Sequence, residues 1–94
     1  MINNIISAFY DNADSVKAPQ MSAYMKNKFP FLGIQKPQRQ KISKEFIKEA
    51  KKTKAVDWDT VDRLWDLPER EFQYLAVDYL IALNDYIKPE DIAR

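Results

Sequence analysis

The 94-residue sequence predicts an all-α fold of stacked helix pairs, an α-solenoid, on three observations. Apolar residues recur three and four apart along almost the whole chain, and no stretch alternates as a strand would. Short turns separate successive helical segments, as in repeat proteins. A further helix start lies at Lys88-Pro89-Glu90-Asp91-Ile92-Ala93, with about one turn of chain left before Arg94.

The elements follow in order. Ile2, Ile5, Ile6, Phe9 and Tyr10 step as i, i+3, i+4, i+7 and i+8, which makes a first helix of about three turns. The polar residues 12–17 read as a connection. Pro19 suits a first helical position, and Met21, Tyr24, Met25 and Phe29 form one stripe on a second helix. Pro30 and Gly33 end it, the first by restricting Phe29 and the second by permitting positive φ. Pro37 opens a third helix with Ile42, Phe46, Ile47 and Ala50 inward and lysines outward, closing at Thr53-Lys54. Asp57 is an N-cap for a fourth helix through Val61, Leu64 and Trp65, with Trp65 expected in the core. Leu67-Pro68 breaks that pattern, and Pro68-Glu69-Arg70-Glu71 starts a fifth helix with acids in its first turn. Its stripe is Phe72, Leu75, Ala76, Tyr79, Leu80 and Leu83. Val77 and Ile81 widen that stripe, so this helix expects partners on two sides. Residues 1–94 are therefore expected to be the N-terminal portion of a longer single-domain repeat protein.

Composition excludes several chemistries. The chain has no Cys, no His and a single Gly. That removes disulfides, thiolate and imidazole nucleophile systems, His or Cys metal sites, and Gly-rich phosphate loops. No cofactor and no metal are expected. The N-terminus lacks a basic stretch and no apolar run approaches a membrane span, so a cytoplasmic location is expected. A hydrophobic fraction of 46% is ample for a packed core.

A net charge of +1 conceals an asymmetry. Residues 1–16 carry two acids and no base, residues 17–54 eleven bases against two acids, and residues 55–94 ten acids against four bases. A basic segment joined to an acidic one can mark a polyanionic partner. On the third helix Lys41, Lys44, Lys48, Lys51 and Lys52 share a face, which is either a solvated surface laced to Glu45 and Glu49 or a phosphate-tracking surface. At the start of that helix, Gln35-Lys36-Pro37-Gln38-Arg39 gathers free backbone N–H groups, two amides and two cations, a combination that suits a phosphate but also describes an ordinary helix start. Tyr24 and Lys28, four apart, either share a helix edge toward a ligand or leave Tyr24 in the core. The acids Asp57, Asp59, Asp62 and Asp66 have no His or Cys companions and read as capping and solvation. Asp66, Glu69 and Arg70 are expected to lock the turn between the fourth and fifth helices.

Three blocks carry a resemblance: Tyr24-Met25-Lys26-Asn27-Lys28-Phe29, then residues 31–39, then residues 64–73, which read Leu-Trp-Asp-Leu-Pro-Glu-Arg-Glu-Phe-Gln. In order and spacing they resemble the N-terminal signature of bacterial DNA alkylation repair enzymes, the alkylpurine DNA glycosylases built from HEAT-like repeats. The resemblance implies antiparallel helix pairs stacked in a superhelix, with duplex DNA on the concave basic face. It also implies hydrolysis of the N-glycosidic bond of N3- or N7-alkylated purines, with a Trp-Trp-Asp motif on a later repeat stabilising charge on the sugar. No Trp-Trp-Asp occurs in this sequence, so no catalytic residue carries over and the chain alone is expected to be inactive. Tyr24, Gln35 and Lys36 match DNA-facing positions of the family, and Lys36 stands where relatives often have a small hydroxyl residue, which implies an ionic contact.

The expected DNA-binding residues are thus Tyr24, Lys28, Gln35, Lys36 and Arg39, and the expected partner is duplex DNA containing alkylated purines. Self-association through the apolar flank of the fifth helix is a further expectation. Two readings compete: a helical-repeat binder of DNA structures without glycosylase activity, and a scaffold for protein partners whose lysines are merely solvated.

Overall fold

The computed structural model describes residues 2–93, and every regular element among them is helical. The order is α1 (Ile2–Asp11), α2 (Lys17–Tyr24), α3 (Lys36–Lys52), α4 (Trp58–Asp66) and α5 (Arg70–Ala82), followed by short 3-10 helices at Asn84–Tyr86 and Pro89–Ala93. Packing runs α4 on α5, α5 on α3, and α3 on α1, so α3 and α5 form the middle of the fold. Among the described residues no helix is long and apolar enough to cross a membrane.

The core follows the predicted stripes. Phe72, Leu75, Ala76, Tyr79 and Leu83 are buried along one side of α5, against Ile5 and Phe9 of α1, Phe46 and Ala50 of α3, and Val61 and Leu64 of α4. The Phe9 ring stacks on Phe72 at 5.3 Å, and Phe46 meets Tyr79 at 5.9 Å, which adds directional contact to the area buried. The Tyr79 hydroxyl accepts the backbone N–H of Asp57 at 2.9 Å, tying α5 to the start of α4. Burial holds that hydroxyl above its usual pKa, although the Asp57 hydrogen bond pulls the other way. Asp57 caps α4 as expected, accepting the Asp59 N–H at 3.1 Å and the Thr60 hydroxyl at 3.1 Å.

Three expectations are corrected. The second helix begins at Lys17, with Pro19 inside its first turn, because Asp14 Oδ1 accepts the N–H groups of Val16 at 2.9 Å and Lys17 at 3.0 Å. It also ends early, at Tyr24: Lys26 N–H donates to Ala23 O at 2.9 Å and Asn27 N–H to Ser22 O at 2.7 Å, the paired bonds of a Schellman stop. Lys26 takes the left-handed position usually given to glycine, at φ 57°. The stripe Met21, Tyr24, Met25, Phe29 is therefore broken by the turn. Trp65, expected in the core, is 52% exposed, because α4 buries Thr60, Val61 and Leu64 and Trp65 falls one position round the helix. The fifth helix starts at Arg70 rather than Pro68, with Glu69 as its N-cap residue and accepting the Tyr10 hydroxyl at 2.9 Å. The helix start near the end forms as a tight 3-10 helix, with Asp91 Oδ2 accepting the Lys88 N–H at 2.9 Å. Arg94 lies outside the described residues.

Candidate nucleic-acid interface

Residues 30–34 connect the turn after α2 to α3 and are anchored along their length. Pro30 O accepts the Arg70 N–H at 2.9 Å, and Leu32 O accepts the Asp14 N–H at 2.7 Å. The Glu71 side chain, wholly buried, accepts the N–H groups of Leu32 at 2.9 and 3.0 Å, Gly33 at 2.9 Å and Ile34 at 3.1 Å. Charge-assisted bonds to three consecutive amides are the partners that a carboxylate out of water requires. Gly33 adopts φ +95°, and a Cβ there would collide with the Asp14 carbonyl oxygen and come within 2.9 Å of the Ala18 nitrogen.

This strap delivers the chain to α3, whose first residues Gln35 and Lys36 are exposed. Lys36 stands at one end of an open groove of about 670 Å³ between α3 and α5, whose α3 wall also carries Lys44, Lys48 and Lys51. The residues at the α5 wall include Ile81, 70% exposed, and Asp78. The basic face read from the sequence is divided by the fold. Lys44, Lys48 and Lys51 line the groove with Lys36, whereas Lys52 pairs with Glu49 at 3.1 Å outside it.

Arg39 departs from the expectation of a free DNA-facing cation. It is 8% exposed, and its Nε donates to Asp78 Oδ2 at 3.0 Å, with the guanidinium over the Tyr74 ring at 5.2 Å. Arg39, Ser43, Phe46 and Ala50 form the buried side of α3, so Arg39 is packed against α5 while Lys36 stays exposed. Asp78 is the sole acid among the described residues of the groove lining, and Arg39 pairs with it. Tyr24, 88% exposed, and Lys28 both face solvent, but the left-handed Lys26 and Asn27 lie between them, so their spacing is not that of a helix edge.

Sequence reasoning missed Glu71, Tyr74 and the full role of Arg70. The Arg70 guanidinium lies over Phe29 at 4.2 Å and over Tyr74 at 5.5 Å, and its Nη1 donates to Gln73. Its Nε is buried without a hydrogen-bond partner, enclosed instead by those rings. The available signals were Gly33, as a demand for an unusual backbone, and a Glu in the first turn of α5. Nothing along the chain joins them across 38 positions.

Among the described residues there is no group of three or more acids that could hold a metal ion. Known proteins place this arrangement. No curated protein matches the chain. The solved structure of a predicted DNA alkylation repair enzyme from Enterococcus faecalis superposes with a TM-score of 0.75 at 32% identity, over 85% of this chain. The match spans 38% of that protein's length. A sequence model of the DNA alkylation repair enzyme family matches residues 5–94. That match takes in the strap and the groove-forming helices α3 and α5, and the chain belongs to the DNA alkylation repair enzyme family.

Proposed function

We propose that these residues supply duplex-DNA-binding surface to a DNA glycosylase that removes N3- or N7-alkylated purines. The observation that carries this reading is the α3–α5 groove, where Lys36, Lys44, Lys48 and Lys51 converge and the one acid among the described lining residues, Asp78, pairs with Arg39. Cations along one helix track phosphates without reading bases, so the surface positions DNA and leaves lesion choice to other segments. Tyr24, Lys28 and Gln35, all exposed beside or before this helix, extend the proposed contact surface. Catalysis lies outside these residues, since Trp58 and Trp65 are seven apart and no Trp-Trp-Asp is present.

A salt titration of duplex binding tests the reading. Four neutralised phosphates give a slope of about −3.6 in log K against log salt, at about −0.9 per phosphate. Lys44→Glu with Lys48→Glu lowers both affinity and slope. Release of 7-methylguanine by these 94 residues would contradict the assignment of catalysis elsewhere. A second reading, a scaffold for protein partners, draws on Ile81 and Val77, exposed to 70% and 44%. Absence of duplex binding at low salt would favour it.

A further inference from the structure

One ionisable side chain in α5 lies wholly out of water. Glu71 is wholly buried, yet among the described residues it forms no ion pair; its hydrogen-bond partners are the three consecutive backbone amides of Leu32, Gly33 and Ile34. Enclosed in this way it is out of solvent and is not among the groove-lining residues, so it does not meet a ligand in the groove directly. Its partners, however, end one peptide before Gln35, the N-cap residue of α3, and two before Lys36, the first lysine of the groove.

The start of α3 has no side-chain cap of its own. Gln35 is extended, at φ −81° and ψ 163°, and makes no capping bond, whereas α4 is capped by Asp57 from within its own sequence. Where the first turn of α3 sits is therefore fixed from outside, by α5 acting through the strap. Arg70 and Glu71 are neighbours that grip the same strap at Pro30 and at residues 32–34, and Gly33 admits no side chain there. Resting on the DNA reading above, we infer that Glu71 is a positioning residue for duplex binding: by holding the amides of residues 32–34 it sets the placement of Gln35 and Lys36 at the mouth of the groove. Helix α5 thus controls the DNA contact made by the first turn of α3.

The test is a double-mutant cycle on duplex affinity using wild type, Lys36→Ala, Glu71→Gln and the double variant, at a temperature where circular dichroism shows each to be folded. Gln keeps the shape and one acceptor but removes the charge. Glu71→Gln is expected to weaken binding at least about threefold, and Lys36→Ala to cost less in that background than in wild type, since coupled neighbours are non-additive. Leu83→Ala, a core change far from the strap, serves as the destabilised control and should be additive with Lys36→Ala. Additive effects of Glu71→Gln and Lys36→Ala, or wild-type affinity in Glu71→Gln, would overturn the inference while leaving the DNA reading standing. If wild type itself binds no duplex at low salt, the DNA reading fails and takes this one with it. Should Glu71→Gln not fold, Glu71→Asp runs the same cycle, and a failure of both to fold makes Glu71 a folding residue and overturns the proposal.

Discussion

α2, with 8 residues, and α5, with 13, are held by opposite means. α5 is fixed by packing: Phe72, Leu75, Ala76 and Tyr79 are almost entirely out of water, and its first turn grips a strap through Glu71. α2 has no buried residue at all. Its limits are set by backbone chemistry, Asp14 at one end and the Schellman bonds to Lys26 and Asn27 at the other. A helix without a buried face derives little stability from tertiary contact and opens locally at low cost, whereas opening α5 dissolves the core. Tyr24 sits at the end of the loosely held helix, and the groove lysines sit on α3, which packs directly on α5.

The largest expected difference is between core truncations and surface truncations on these two helices. Leu75→Ala should lower stability by about 3 kcal/mol, from lost transfer energy and the cavity left behind. Met21→Ala on α2 should cost under about 1 kcal/mol. Urea denaturation distinguishes them, and comparable losses would mean that α2 is held by packing after all.

Next in size is the Arg39–Asp78 pair, which joins α3 to α5. Asp78→Ala leaves a buried guanidinium without its acceptor and should cost about 2 kcal/mol, less than a fully buried pair because Asp78 is partly exposed. Arg39→Met combined with Asp78→Leu should recover most of that loss, as an apolar replacement of both partners does. If Asp78→Ala melts with wild type, the pair is no more than a surface contact.

These residues also show what the sequence could and could not disclose. Helices α1, α3, α4 and α5 were legible because each buries a face at helical spacing, and the acid cap at Asp57 is a purely local signal. The end of α2 was not, because a left-handed Lys at the stop position looks like any other Lys. Lys36 and Arg39 sit three apart in one basic run, yet one lines the groove and the other is buried against Asp78, 39 positions away. Charge patterning reports that cations are present; only the partner helix decides which of them remain free.

A smaller effect sharpens the local account of α2. Lys26→Gly removes the steric cost of a left-handed residue with a side chain, about 1 kcal/mol, partly offset by the greater freedom of glycine when unfolded. A net gain of about 0.5 kcal/mol is expected. It should appear as slower amide exchange in α2 with no change in α5, and a loss of stability would contradict the left-handed assignment.

The smallest expected effect is a pH dependence confined to α2. The backbone N–H groups of Lys17 and then Val16 hold the Asp14 carboxyl below its ordinary value, against a slight upward pull from desolvation. Because the folded value is the depressed one, the capping contribution is complete above the ordinary Asp range near pH 4 and is lost as pH falls through the folded value. Protonation removes the charge that makes both hydrogen bonds strong, so α2 should loosen from its first turn while the amides of α5 keep their protection. In NMR titrations the Val16 and Lys17 amide shifts should follow a midpoint below that of an unstructured Asp, and Asp14→Asn should abolish the transition. A midpoint at or above the unstructured value would show that the Asp14 carboxyl does not cap α2, leaving the Ala18 N–H bond to the Asp14 carbonyl, at 2.9 Å, to anchor its start.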